Sequence, residues 1–180
     1  MSVRRWAALG AIVVAVGSIA ALLGFGLTHD PNVVPAALVG RQAPAFDLAT
    51  VDGSQRVQLD TLRGEVVIVN FWASWCLACR TEQPALADTF NRYRDRGVVL
   101  VGISFQDSAV DARAYASSSG ITWPLLNDPG SRTGLAYGVT GLPETYFIGP
   151  GGRVDHKEAG PVTTQLVDRE VRRLQPEAAG

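Results

Sequence analysis

Cys76 and Cys79 are the only cysteines among 180 residues, and they stand three positions apart. Bridged cysteines have Cα atoms about 5.5 Å apart, so a pair at i and i+3 is within disulfide reach. Such a pair can cycle between dithiol and disulfide if one sulfur is held as the thiolate, the attacking species. Glu65 to Phe71 reads as a buried strand, and about Leu77 to Asp95 reads as a helix. Cys76 then lies at a helix N-terminus, where partial positive charge and free backbone N–H groups favour an anion. Cys79 precedes Leu86 by seven residues and shares the core-facing stripe of Leu86, Phe90 and Tyr93. The expectation is a presented Cys76 and a buried Cys79. Cys76 attacks a substrate disulfide, and Cys79 resolves the mixed disulfide, leaving a Cys76–Cys79 bond.

Two plainer readings compete. A disulfide closing a two-residue gap constrains the unfolded chain little, so a purely structural staple would stabilise weakly. Tetrahedral zinc wants four ligands, and the two histidines, His29 and His156, fall in a linker and a hairpin strand. Redox use of the pair is the stronger reading, with no cofactor beyond the disulfide itself.

The surrounding segments build one domain around that pair. Ala45 to Ala49 and Arg56 to Leu59 alternate in polarity about Asp52-Gly53, which predicts an N-terminal hairpin. Val66-Val67-Ile68-Val69 is a β-branched run suited to a central strand covered on both faces. Pro84 falls inside the helix that follows and should kink it. Val98 to Ile103 predicts a second buried strand, Ser108 to Ser119 a helix, and Ser131 to Tyr137 a short inserted helix. Thr145 to Ile148 pairs through Gly149-Pro150-Gly151-Gly152 with Arg153 to Glu158, and Thr163 to Leu174 closes as a helix. Strands alternating with helices, then a closing hairpin, predict an α/β fold with a mixed central sheet flanked by helices.

Arg4 and Arg5 precede 22 uncharged residues, Trp6 to Leu27. As a helix these span ~33 Å, against a hydrocarbon core of ~30 Å. A cleavable signal has an apolar core of only ~7–15 residues, so residues 1–28 are expected to be an uncleaved anchor. The arginines keep its N-terminus cytoplasmic, and the rest lies outside, where disulfides persist. Residues 29–40 are expected as a linker, 41–175 as the domain and 176–180 as a flexible tail. The formal net charge of −1 suggests no nucleic-acid partner.

Trp75-Cys76-x-x-Cys79, preceded by Asn70-Phe71-Trp72-Ala73, resembles the active site of the thioredoxin superfamily. The resemblance runs over about residues 40–174. It includes Pro84 and the loop Gly141-Leu142-Pro143, similar to the family's cis-proline loop. It implies a thioredoxin-like fold with a helical insertion, and a role for Leu142 and Pro143 in pairing with substrate backbone. Ala37 to Gly40 with Ala43-Pro44-x-Phe46 resembles the leading segment of the anchored extracytoplasmic thioredoxins, the TlpA, ResA and CcmG/DsbE groups. Cys79-Arg80-x-Glu82 and Tyr137-Gly138-Val139-x-Gly141-x-Pro143-Glu144-Thr145 resemble CcmG/DsbE in particular. That group implies a single-pass membrane-tethered reductase for the disulfide of apocytochrome c, re-reduced by a membrane thiol carrier of the DsbD/CcdA kind. Glu82 and Glu144 match acidic residues near the dithiol, able to tune a thiol or relay a proton.

Three departures bear on the client. Leu77-Ala78 lacks the proline or acidic residue often found between these cysteines. Asn70 stands where cytoplasmic thioredoxins carry a buried aspartate, and Leu142 is bulkier than the small residue usual before the cis-proline. A general extracytoplasmic disulfide reductase or oxidase is the alternative, followed by a thiol-chain binding module without turnover. A peroxide-reducing relative is disfavoured because no Pro-x-x-x-Thr-x-x-Cys run is present.

Overall fold

The computed structural model describes residues 6, 10, 12–19, 21 and 38–175. The chain divides into two units, Met1–Pro35 and Ala36–Gly180. In the first, the described positions are helical and exposed. The expected anchor lies for the most part outside the described residues, as do the linker before Leu38 and the tail after Gln175. Among the described residues no helix is long and apolar enough to cross a membrane.

The second unit is organised on a five-stranded sheet. Its elements run β1 (Asp47–Ala49), β2 (Arg56–Gln58), β3 (Val66–Trp72), α1 (Leu77–Tyr93), β4 (Val98–Ser104), α2 (Ala109–Ser119) and β5 (Leu125–Leu126). They continue with α3 (Arg132–Tyr137), β6 (Glu144–Ile148), β7 (Val154–Ala159) and α4 (Thr164–Leu174). The sheet order is β5-β4-β3-β6-β7, with β1 and β2 forming a separate hairpin. β3 is parallel to β4 and antiparallel to β6, so the sheet is mixed as expected.

β3 is the central strand of this order, and all seven of its residues are buried. Alternation along it divides the two cores. Val66, Ile68 and Trp72 pack with Leu86, Leu100 and Trp123 on one face. Val67, Val69 and Phe71 pack with Ile103, Tyr137 and Tyr146 on the other. Asn70 therefore points to the face on which α1 lies.

Each sheet edge is covered in part, which removes some unpaired strand groups from solvent. The first hairpin docks on β5, where the Val51 N–H donates to the Leu125 carbonyl at 2.8 Å. At the other edge, Gly40 N–H donates to Val154 O at 2.7 Å and Val154 N–H to Arg41 O at 2.9 Å. Residues 38–43 thus line the start of β7.

α1 runs through Pro84 as one element. Its buried positions are Cys79, Glu82, Leu86, Thr89 and Tyr93, with Phe90 only partly buried. The expected stripe is present but turned so that Glu82 and Thr89 are on it. The far end of α1 is tied to α4, where Asp168 accepts from Arg92 Nη1 at 2.8 Å and Tyr93 Oη at 3.0 Å.

Candidate active site

The carboxyl ends of β3 and β4 meet at one rim, since Trp72 is paired with Ser104. β6 begins at that rim too, with Glu144 opposite Phe71. Three loops therefore converge there: Ala73–Cys76, Phe105–Ser108 and the turn ending at Pro143. Loops at the carboxyl edge where neighbouring connections diverge are the usual ligand side of an open α/β sheet.

Cys76 is the N-cap of α1, with extended backbone (φ −79°, ψ 103°). Its Sγ accepts from the Cys79 N–H at 3.0 Å. An N-cap side chain normally answers one of the orphan donors of the first turn; here the acceptor is the sulfur. It is bonded to Cys79 Sγ, with Cα atoms 5.4 Å apart.

The expected contrast in exposure is absent. Cys76 is 4% exposed and Cys79 5%. In the bonded state each sulfur covers part of the other, and Trp72 and Ala73 pack in the same cluster. Position on the helix separates the two sulfurs; burial does not.

Trp75, by contrast, is 58% exposed, and its indole Nε1 donates to Gln106 O at 3.1 Å. Asp107 fixes the turn before the cysteines: its carboxylate accepts from Ser74 N at 2.6 Å, Ser74 Oγ at 2.9 Å and Ser108 N at 2.9 Å. Replacing Asp107 with alanine should cost about 1 kcal/mol, because the part-buried Ser74 N–H loses its acceptor while the exposed Ser108 N–H can turn to water. The shift of the denaturant midpoint measures it, and an unchanged midpoint would show that water replaces the carboxylate fully.

Behind the dithiol, Glu82 is 1% exposed. Its Oε1 accepts from Asn70 Nδ2 at 2.8 Å and its Oε2 from Val162 N at 2.9 Å. Asn70 Nδ2 also donates to Thr145 Oγ1 at 3.0 Å. Burial pushes the Glu82 carboxyl up to about 7, against the opposing pull of the Val162 and Asn70 hydrogen bonds. A carboxyl at that value exchanges protons near neutral pH.

The Leu142–Pro143 peptide is cis, and Leu142 packs against both cores, including the one that holds the cysteines. Glu144, 2% exposed, is bound into this turn: its Oε1 accepts from Thr140 N at 3.2 Å and Thr140 Oγ1 at 3.0 Å. Among the described residues no cluster of metal-binding side chains occurs. Asp107, Thr140 and Lys157 were not singled out from the sequence, and Thr145 only as the end of a motif. Asp107 alone had a local signal, an acidic residue between a strand and a helix start; Thr145 and Lys157 reach the site through strand pairing, and Thr140 through its bonds to Glu144.

The sequence model described as the AhpC/TSA family matches residues 39–157. A "Thiol:disulfide interchange protein DsbE" of Allochromatium vinosum is 36% identical over 86% of this chain and 84% of the relative. A "Thiol-disulfide oxidoreductase ResA" of Bacillus subtilis is 30% identical over 76% of each. A crystal structure of a thiol:disulfide interchange protein of the thioredoxin family from Chlorobium tepidum superposes with a TM-score of 0.66. It is 32% identical and covers 74% of this chain and 94% of that one.

Proposed function

The chain belongs to the AhpC/TSA family and is a thiol–disulfide oxidoreductase of the DsbE and ResA type, and from that premise we propose that it reduces the disulfide of apocytochrome c during cytochrome c maturation. The observation that carries the direction of attack is the Cys76 sulfur at the N-cap, accepting the Cys79 N–H. With the pair reduced, that donor and the helix terminus favour the Cys76 thiolate.

The thiolate attacks one sulfur of the substrate disulfide, forming the Cys76–substrate bond as the substrate S–S bond breaks and one substrate thiolate leaves. Cys79 then loses its proton and attacks Cys76 Sγ. The mixed disulfide breaks, the second substrate thiolate leaves, and the Cys76–Cys79 bond forms. Two electrons pass to the substrate, whose thiolates take up two protons. Glu82, three residues beyond Cys79 on the buried face of α1, is suited to accept the Cys79 proton, with Asn70 orienting its carboxylate. Trp75, Leu142 and Pro143 offer a platform for the substrate chain, and Glu144 holds that turn. No cofactor enters this cycle. The disulfide is returned to the dithiol by a membrane thiol carrier of the DsbD/CcdA kind.

The enzyme is held at the inner membrane by the apolar N-terminal segment, with a cytoplasmic N-terminus and an extracytoplasmic catalytic unit. Trapping tests the client. Cys79→Ser removes the resolving sulfur, so Cys76-linked mixed disulfides should accumulate in cells making c-type cytochromes. Apocytochrome c is expected among the captured partners; capture of unrelated exported proteins alone would favour a general reductase instead.

A further inference from the structure

We propose that Lys157, the sole lysine of the chain, is a positioning residue for the cis-proline turn, acting through Glu144; this rests on the reading above that the turn meets a protein substrate. Lys157 lies on β7 opposite Tyr146 on β6. Directly opposed residues share a sheet face, as do residues two apart on a strand. Lys157, Tyr146 and Glu144 therefore point the same way, into the aromatic core of Phe71, Tyr137 and Tyr146.

The lysine Nζ is 2.9 Å from Glu144 Oε2, with side chains only 9% and 3% exposed. It also lies 5.4 Å from the centre of the Tyr146 ring. The ring face attracts the ammonium, but a Lys–Glu pair so little exposed to water still needs a reason.

The geometry supplies one. Glu144 Oε1 takes both Thr140 donors, the N–H and the hydroxyl. Tyr146 Oη sits 3.1 Å from Glu144 Oε2 and 2.8 Å from the Tyr137 carbonyl. A phenol has one proton, so it serves one of those acceptors, and the carbonyl is nearer. Lys157 is then the group that answers Oε2 and balances the carboxylate. On the other side of the turn, Gly160 N–H donates to Pro143 O at 2.9 Å. Gly141 and Leu142 are thus suspended between two fixed points, Thr140 and Pro143. Lys157 secures the first of these at one remove.

A protein disulfide whose backbone pairs with the turn should feel this support, whereas a small disulfide that engages only the sulfurs should not. The full-length enzyme, kept reduced by a recycling dithiol whose uncatalysed rate is subtracted, is assayed on two substrates: a peptide carrying an intramolecular Cys-x-x-Cys disulfide, and oxidised glutathione. Lys157→Met should raise the peptide KM about tenfold and leave kcat within about twofold, since it weakens binding rather than chemistry. Turnover of oxidised glutathione should stay within about twofold of the parent. Lys157→Arg keeps the charge and should restore most of the peptide KM.

Lys157→Met combined with Glu144→Gln should also bring KM back, because an amide oxygen still accepts from Thr140 and no charge is left unbalanced. That double variant decides the matter if the single one does not fold. An unmoved peptide KM in Lys157→Met, an equal loss on both substrates, or a high KM in the double variant would overturn the inference. If the parent enzyme reduces glutathione disulfide but not the peptide, the functional reading itself fails and the inference falls with it.

Discussion

Serine in place of Cys76 should lower the rate of disulfide reduction by about three orders of magnitude or more, the scale seen when a covalent nucleophile is removed. A hydroxyl is scarcely ionised near neutral pH, so the helix terminus has no anion to hold. The fold should survive the change. Serine is among the best N-cap residues and can take the Cys79 N–H that the sulfur now accepts. Loss of the bridge removes about 2 kcal/mol at most by chain entropy, because the closed loop is so short. Compared with the reduced parent, the variant should show an unchanged denaturant midpoint together with lost turnover. Residual turnover within tenfold of the parent would mean that Cys79 attacks directly and that the roles assigned to the two sulfurs are reversed. A binding module without turnover would retain its association with thiol-bearing chains in this variant, so a retained complex with no parent activity would favour that reading.

The second large effect concerns Glu82 and pH. Its carboxyl is pushed up to about 7 in the folded chain against an ordinary 4.5. The folded state thus holds this proton more tightly than the unfolded state does, and stability falls as pH rises. This is the reverse of the usual salt-bridged carboxylate. The contribution is fully present below about pH 4.5, is lost as pH climbs to about 7, and is level above that. A separation of about 2.5 units corresponds to about 3 kcal/mol.

Glu82→Gln should abolish this slope. An amide at 82 can accept from Val162 N–H and donate to Asn70 once the Asn70 amide turns over, with the Thr145 hydroxyl then donating to Asn70. Unfolding free energies measured across pH 4.5 to 8 give the comparison. A flat parent curve, or a slope that persists in the variant, would remove Glu82 as the titrating group. In turnover, the same substitution should slow release of the second substrate thiol near neutral pH, because Cys79 loses its proton acceptor.

Much of this architecture is legible along the chain because the relevant forces are local. The β-branched run at Val66–Val69 has few alternatives to a buried strand. The polarity alternation about Asp52-Gly53 yields the hairpin, and the i, i+3 cysteines at a strand–helix junction define a dithiol site. The stripe on α1 was legible in period but not in phase. Phe90 looks like its natural member, yet Glu82 and Thr89 occupy the buried face. A carboxylate goes inside only when donors await it, and Asn70 and the Val162 N–H come from elements 12 and 80 residues away.

Cys76, Cys79 and their helix-end placement were thus determined by the sequence alone, since spacing and the first turn of a helix are properties of neighbouring residues. The equal burial of the two sulfurs, the Asn70–Glu82–Thr145 cluster, and the Lys157–Glu144–Thr140 chain were decided by tertiary structure. The two clusters depend on strand register, in which Asn70 faces Thr145 and Tyr146 faces Lys157. A slip of one residue in a strand would send its members of these clusters to the opposite face. Register is set by how the whole sheet buries its two cores, and no local stretch of sequence carries that information.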